Sequence, residues 1–142
     1  MRCLAALTSL LLLAACSTVP SVAHHRAPAS PDPAHSSRNA LDWPGTYAGT
    51  LPCADCPGIE LRLTLNDDGS YQLATRHIDR QTEPEQISGS FSWTYDGNHI
   101  QLDAAADHAF YAVREGSLLR RYADGSWPQA DRIAGMSLTR QP

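Results

Sequence analysis

The chain has 142 residues, a formal charge of −4 and 18% charged residues. This length suits a single domain of ordinary size. The mild acidity excludes the basic face that a nucleic-acid partner requires; all eleven basic residues are arginines, and none is a lysine.

The N-terminus opens with Met1-Arg2 and an almost continuous apolar run from Leu4 to Ala15. Such a run is shorter than the roughly 20 residues a membrane-spanning helix needs. It has the order of a signal-peptide core. It ends in Leu13-Ala14-Ala15-Cys16, which resembles the bacterial lipobox. The alternative is an ordinary secretory signal followed by a chance cysteine. The lipobox reading predicts removal of residues 1–15, acylation of Cys16 with palmitate-type chains, and a mature charge of about −5, because only Arg2 is lost. One acyl chain anchors marginally and several anchor firmly, at about 0.8 kcal/mol per buried methylene. Ser17 stands where an aspartate favours inner-membrane retention in enteric bacteria, so the expected destination is the outer membrane, with the domain facing the periplasm.

Residues 16–42 read as the lipidated cysteine and a flexible tether. Ser17 to Asp42 holds Pro20, Pro28, Pro31, Pro33 and five serines, without apolar periodicity. A segment of this composition cannot bury enough surface to fold. Its coil dimension is roughly 30 Å. His24, His25 and His35 lie in it and offer at most a loose metal collector.

Residues 43–142 form the predicted domain, its ordered part running from Trp43 to Leu138. Thr46 to Leu51 is a first strand. Ile59, Leu61, Leu63 and Leu65 alternate with polar residues, the mark of a strand with one buried face. Asn66-Asp67-Asp68-Gly69 is a hairpin signal. Ser70 to Thr75 resumes the alternation, and His77 to Gln86 reads as a long polar loop. Phe91, Trp93 and Tyr95 alternate next, and Asp96-Gly97-Asn98 turns the chain into Ile100 and Leu102. Phe110 to Arg114, Ser117 to Tyr122 and Gly135 to Thr139 complete about eight short strands. No window predicts an amphipathic helix. The expectation is all-β, a small antiparallel lipocalin-like barrel, because closure removes exposed strand edges. Tyr71, Phe91 and Trp93 are candidates to line an interior cavity, or else ordinary core.

The string Gly45-Thr46-Tyr47-Ala48-Gly49-Thr50-Leu51-Pro52-Cys53-Ala54-Asp55-Cys56-Pro57-Gly58-Ile59, with Leu63-Thr64-Leu65-Asn66 and Gly69-Ser70-Tyr71 after it, resembles the N-terminal domain of the NlpE family. These are copper-resistance and envelope-stress lipoproteins of Gram-negative bacteria. The resemblance covers about Trp43 to Leu138. It implies a barrel related to lipocalins, a part in copper handling, and signalling through an inner-membrane sensor kinase. The best-known members carry a second, OB-like domain with its own cysteine pair. This sequence ends at Pro142, so a role resting on that domain is not expected of it.

Cys53 and Cys56 remain after Cys3 leaves with the signal peptide and Cys16 takes lipid. Three readings compete. A structural disulfide is favoured by an oxidising compartment, although so short a loop returns little chain entropy. A soft-metal site is the second: two thiolates suit Cu(I), and tetrahedral zinc would need two more ligands from His77, His99 or His108. A catalytic dithiol is the third, disfavoured because such pairs sit at a helix N-terminus, whereas Pro57-Gly58 and a strand follow Cys56. Asp55 reads as a turn residue. No nucleophile elbow, H-E-x-x-H or phosphate loop is present. The expectation is a non-enzymatic lipoprotein for stress sensing or copper tolerance, with Cu(I) as the one candidate cofactor. The rivals are a lipocalin-like carrier of an apolar ligand, marked by a cavity open at one end, and a structural envelope lipoprotein.

Overall fold

The computed structural model describes residues 32–142. The signal segment, Cys16, His24 and His25 lie outside the described residues.

Eight strands follow one another: β1 (Gly45–Leu51), β2 (Ile59–Leu65), β3 (Ser70–His77), β4 (Glu85–Trp93), β5 (His99–Leu102), β6 (Phe110–Arg114), β7 (Ser117–Arg120) and β8 (Ser137–Arg140). Each pairs antiparallel with the next, and β8 returns to β1, so the sheet closes into a barrel. The all-β barrel expectation holds. The closing seam is short: β1 and β8 pair only at Tyr47↔Arg140 and Ala48↔Thr139, whereas β1 and β2 pair from Gly45↔Leu65 to Leu51↔Ile59.

Up-and-down topology sorts the connections by end. The tight turns after β2, β4 and β6 share one end with the start of β1. The longer connections 52–58, 78–84, 103–109 and 121–136 share the other. We call these the hairpin end and the loop end. At the hairpin end the turns after β2 and β4 are held by their own polar side chains. Asp68 accepts from the Ser70 hydroxyl at 2.6 Å and the Ser70 N–H at 2.8 Å, and these bonds draw its carboxyl below the ordinary value. Asp96 accepts from Thr94 Oγ1 and from the Asn98 N–H. Those bonds, led by the Thr94 hydroxyl, lower its carboxyl likewise.

The alternating apolar residues point inward, as period 2 requires. Tyr47, Leu63, Leu65, Tyr71, Ile100, Leu102, Tyr111, Leu118 and Leu138 are all at most 1% exposed and fill the barrel. Burial of a leucine or isoleucine of this kind stabilises by about 1.5–3 kcal/mol.

Two sequence expectations need correction. The polar loop is shorter than His77 to Gln86: β3 runs to His77 and β4 begins at Glu85. The second concerns the tether, whose last part is not free of the barrel. A one-turn helix, α1 (Ser37–Ala40), docks under the hairpin end. Ser36 is buried against Gly97, whose backbone is left-handed with φ 66°; a Cβ there would meet the Ser36 Cβ at 2.7 Å. The Ser37 N–H donates to Asn98 Oδ1 at 2.8 Å, and its hydroxyl donates to the Val113 carbonyl at 2.8 Å. The Arg38 N–H donates to the Gly97 carbonyl. Trp43 then packs edge-on against Phe91 and Trp93, and its indole N–H donates to the Arg38 carbonyl. Arg140 ties the same stretch to β8 through the carbonyls of Asp42 and Pro44. This segment has no apolar stripe and is held by hydrogen bonds that mostly pair a side chain with backbone, with Leu41 and Trp43 packed on the core, and composition displays none of this.

Candidate functional site: the disulfide loop and the barrel mouth

The connection from β1 to β2 carries Cys53 and Cys56, and their sulfurs are bonded, with Cα atoms 5.2 Å apart. The loop lies at the loop end, opposite the docked α1. Cys53 and Cys56 are half-buried, and Ala54, Asp55 and Pro57 are exposed. One ion pair steadies the loop from outside: Arg80, on the connection after β3, contacts Asp55 Oδ2 at 2.9 Å and donates to the Asp55 carbonyl at 2.8 Å. Both side chains are largely solvated, so the pair contributes about 0–1 kcal/mol. No helix follows Cys56; β2 does, after Pro57 and Gly58. The dipole that activates a catalytic dithiol is therefore missing here.

Cys53, Asp55 and Cys56 place their ligand atoms within 4.8 Å of one another, and among the described residues no histidine joins them. His77 instead turns to Gln81, His99 to Asp96, and His35 to Asp32. While the disulfide is intact the loop offers a metal no thiolate. Once it is reduced, the donor set becomes two soft sulfurs beside a carboxylate already engaged by Arg80, which suits Cu(I) better than tetrahedral zinc.

Beside this loop the barrel interior opens. A cavity of about 520 Å³ is walled by Leu51, Ile59, Leu61, Leu73, Ile87 and Met136, with Thr75, His77, Glu85 and Arg120 among its polar residues. Pro52, which begins the disulfide loop, stands on its rim. A second hollow, of about 620 Å³, lies on the outer face of β1–β4 and is walled largely by outward-facing residues such as Glu60, Arg62 and Arg76.

Tyr71, Phe91 and Trp93, the aromatic residues expected to line a cavity, do not line this one. Phe91 and Trp93 pack edge-on with Trp43 over the hairpin end. Tyr71 is buried, and its hydroxyl donates to Asp103 Oδ1 at 2.7 Å. Burial first, and that hydrogen bond second, push the Tyr71 phenol up to about 12. Asp103 also accepts from the Ser90 N–H at 2.8 Å and from the Ala105 N–H at 3.2 Å, and its carboxyl is drawn down, chiefly by the Ser90 N–H. This hub crosses β4 at Gly89, where a Cβ would meet Asp103 Oδ2 at 2.2 Å. Alternation tells which face a residue takes, not how far along the barrel it sits.

Arg80 and Arg120 are the site residues that sequence reasoning missed. Arg80 carries no local signal. Arg120 does: it lies two residues after Leu118 and therefore shares that residue's inward face.

A closed eight-stranded barrel, with a cysteine-bearing loop that begins on the rim of its open end, is a small up-and-down barrel built around one mouth. The NlpE N-terminal domain matches residues 47–131. That is more than half of the sequence, and the chain belongs to the NlpE family. It is 30% identical over 76 residues to lipoprotein NlpE of Escherichia coli, a match covering 53% of this chain and 32% of that protein. It is 37% identical over 49 residues to the 17 kDa lipoprotein of Treponema pallidum, covering 34% and 31%. The matches thus span about a third of each of these relatives. Among solved structures, a lipoprotein from Shewanella oneidensis superposes with a TM-score of 0.67 at 34% identity, covering 75% of this chain and 96% of that one. The Cpx pathway activator NlpE of Escherichia coli superposes with a TM-score of 0.49 at 26% identity, covering 61% and 46%.

Proposed function

We propose that this chain is a lipid-anchored outer-membrane protein that takes part in envelope-stress signalling and copper tolerance, with the Cys53–Cys56 loop as its responsive element. The observation that carries the reading is the placement of the disulfide. It sits on a solvated loop, steadied by one surface ion pair, at the end away from the docked α1. Reduction there releases two thiolates without unlacing the barrel. Family membership supports the stress and copper roles, and the Escherichia coli relative is described as a Cpx pathway activator. An inner-membrane sensor kinase is the corresponding partner. The chain acts by binding and not by catalysis.

The test is native mass spectrometry with Cu(I), before and after reduction. One Cu(I) per reduced chain, absent from the Cys53→Ser/Cys56→Ser variant, is the expected result. No copper on either protein, with normal copper tolerance in cells carrying the double variant, would remove the motif from the function. Anchoring is tested separately: Cys16→Ala should abolish incorporation of labelled palmitate.

The carrier reading keeps a place because one observation favours it: the barrel is hollow at its loop end.

A further inference from the structure

The interior of the loop end combines an apolar wall with one cation that the fold does not neutralise. Arg120 projects from the end of β7 into the cavity. Its guanidinium lies over the Tyr111 ring at 5.6 Å and donates to the Tyr111 hydroxyl at 3.1 Å. Tyr111 is fully buried and holds the guanidinium from behind. A guanidinium has five N–H donors in a planar fork. Among the described residues no carboxylate stands within ion-pair distance of Arg120; each ion pair at this end of the barrel uses a different arginine. The other charged groups of the cavity are accounted for. Arg121 lies on the Phe110 ring at 3.9 Å, Glu85 and Asp107 are exposed at the rim, and His77 is bonded to Gln81.

A partly buried cation without a counter-ion is costly in an apolar setting, and an anion in the same cavity removes that cost. The volume of about 520 Å³ falls within the range of roughly 300–1,000 Å³ typical of small-molecule sites. Its apolar walls are aliphatic apart from Tyr122, which suits a flexible hydrocarbon chain better than a flat ring system.

We propose that the loop end is a binding site for a single-chain anionic amphiphile, with its acyl chain among Leu51, Leu61, Leu73, Ile87 and Met136 and its acid group on Arg120. Tyr111 is a positioning residue that holds the guanidinium from behind. The inference rests on the carrier reading of the same cavity and on neither the copper nor the stress-signalling reading.

The experiment uses the full lipidated chain in nanodiscs with two photoactivatable probes, a C16 fatty acid and the matching C16 alcohol, and mapping of labelled residues by mass spectrometry. The fatty acid should label cavity peptides that carry Leu61, Leu73 or Met136. Arg120→Gln should lower that labelling about tenfold for the acid and less than twofold for the alcohol. Leu73→Trp, which fills the cavity, should abolish both. Circular dichroism of each variant confirms a folded barrel; if Leu73→Trp does not fold, Ile87→Phe takes its place. Absence of cavity labelling in the unmodified chain overturns the site. Equal losses for acid and alcohol in a folded Arg120→Gln variant overturn the role given to Arg120.

Discussion

The two ends of the barrel are built to different rules. The hairpin end is finished: tight turns, the buried Leu65 and Tyr71, an aromatic trio and a docked helical turn close it. The loop end is unfinished: Leu51, Leu61, Leu73 and Met136 are each 5–6% exposed around a hollow, and the disulfide loop begins at its edge with Pro52. The same alternating pattern runs the length of each strand. What differs is what covers it. One end spends its side chains on stability; the other leaves surface and space free for a ligand or a switch.

Leucine truncation should separate the ends most strongly. Leu65→Ala, beside the hairpin end, should cost about 3–4 kcal/mol, and Leu73→Ala, beside the cavity, about 2 kcal/mol or less, because cost follows the new void and Leu73 already borders one. Paired urea melts measure the difference, and equal losses would mean that the ends are packed alike.

Next in size is the docked segment. Ser37→Ala removes the hydroxyl's hydrogen bond to the Val113 carbonyl, keeps the backbone N–H bond to Asn98, and should cost about 1 kcal/mol. A chain beginning at Trp43 should melt lower still. An unchanged melting temperature in both would make the segment a passenger.

Reduction of Cys53–Cys56 should cost at most about 2 kcal/mol, since the loop it closes is far shorter than the 15 residues for which about 3 kcal/mol is expected. Arg80→Ala, which frees Asp55, should cost under about 1 kcal/mol. A large loss from either would tie the loop to the core and weaken its claim to move independently.

The Tyr71 phenol gives the subtlest contrast. Its folded value is raised to about 12. The stabilisation linked to it is therefore fully present below pH 10 and is lost as pH rises from there through 12. Tyr71→Phe should flatten that alkaline loss. A variant that loses stability over the same window as steeply as the parent would show that Tyr71 does not control it.

Most of the strand layout was legible because buried faces alternate strictly. Where the pattern misled, the reason was the rim of the hollow. His77 and Glu85 belong to β3 and β4, yet they are polar because they stand at the rim, His77 bonded to Gln81 and Glu85 in solvent. The loop reading of His77 to Gln86 followed from that polarity. The cysteine pair was legible from its spacing, and its bonded state was one of the readings that spacing leaves open. Arg120 was overlooked because it falls inside the strand read as Ser117 to Tyr122, where an arginine reads as solvent-facing. The docking of Ser36 and Ser37 was invisible, since hydrogen bonds to Asn98 and Val113 leave no periodicity in the sequence.

The short seam between β1 and β8 has a kinetic consequence. Tyr47↔Arg140 and Ala48↔Thr139 join residues more than ninety positions apart. Closing a loop of that length costs roughly 4 kcal/mol in chain entropy, before any constant term. So few pairs return little of it, while β1 to β4 can zip by local hairpins. Ring closure should therefore be the slow step of folding, with a partly opened sheet as the species that precedes it. Until β8 arrives, β1 is an unpaired edge, the surface on which another chain can add a strand. A refolding lag that lengthens with changes at Thr139 and Arg140, but not with changes in the β2–β3 turn, is the signature to seek.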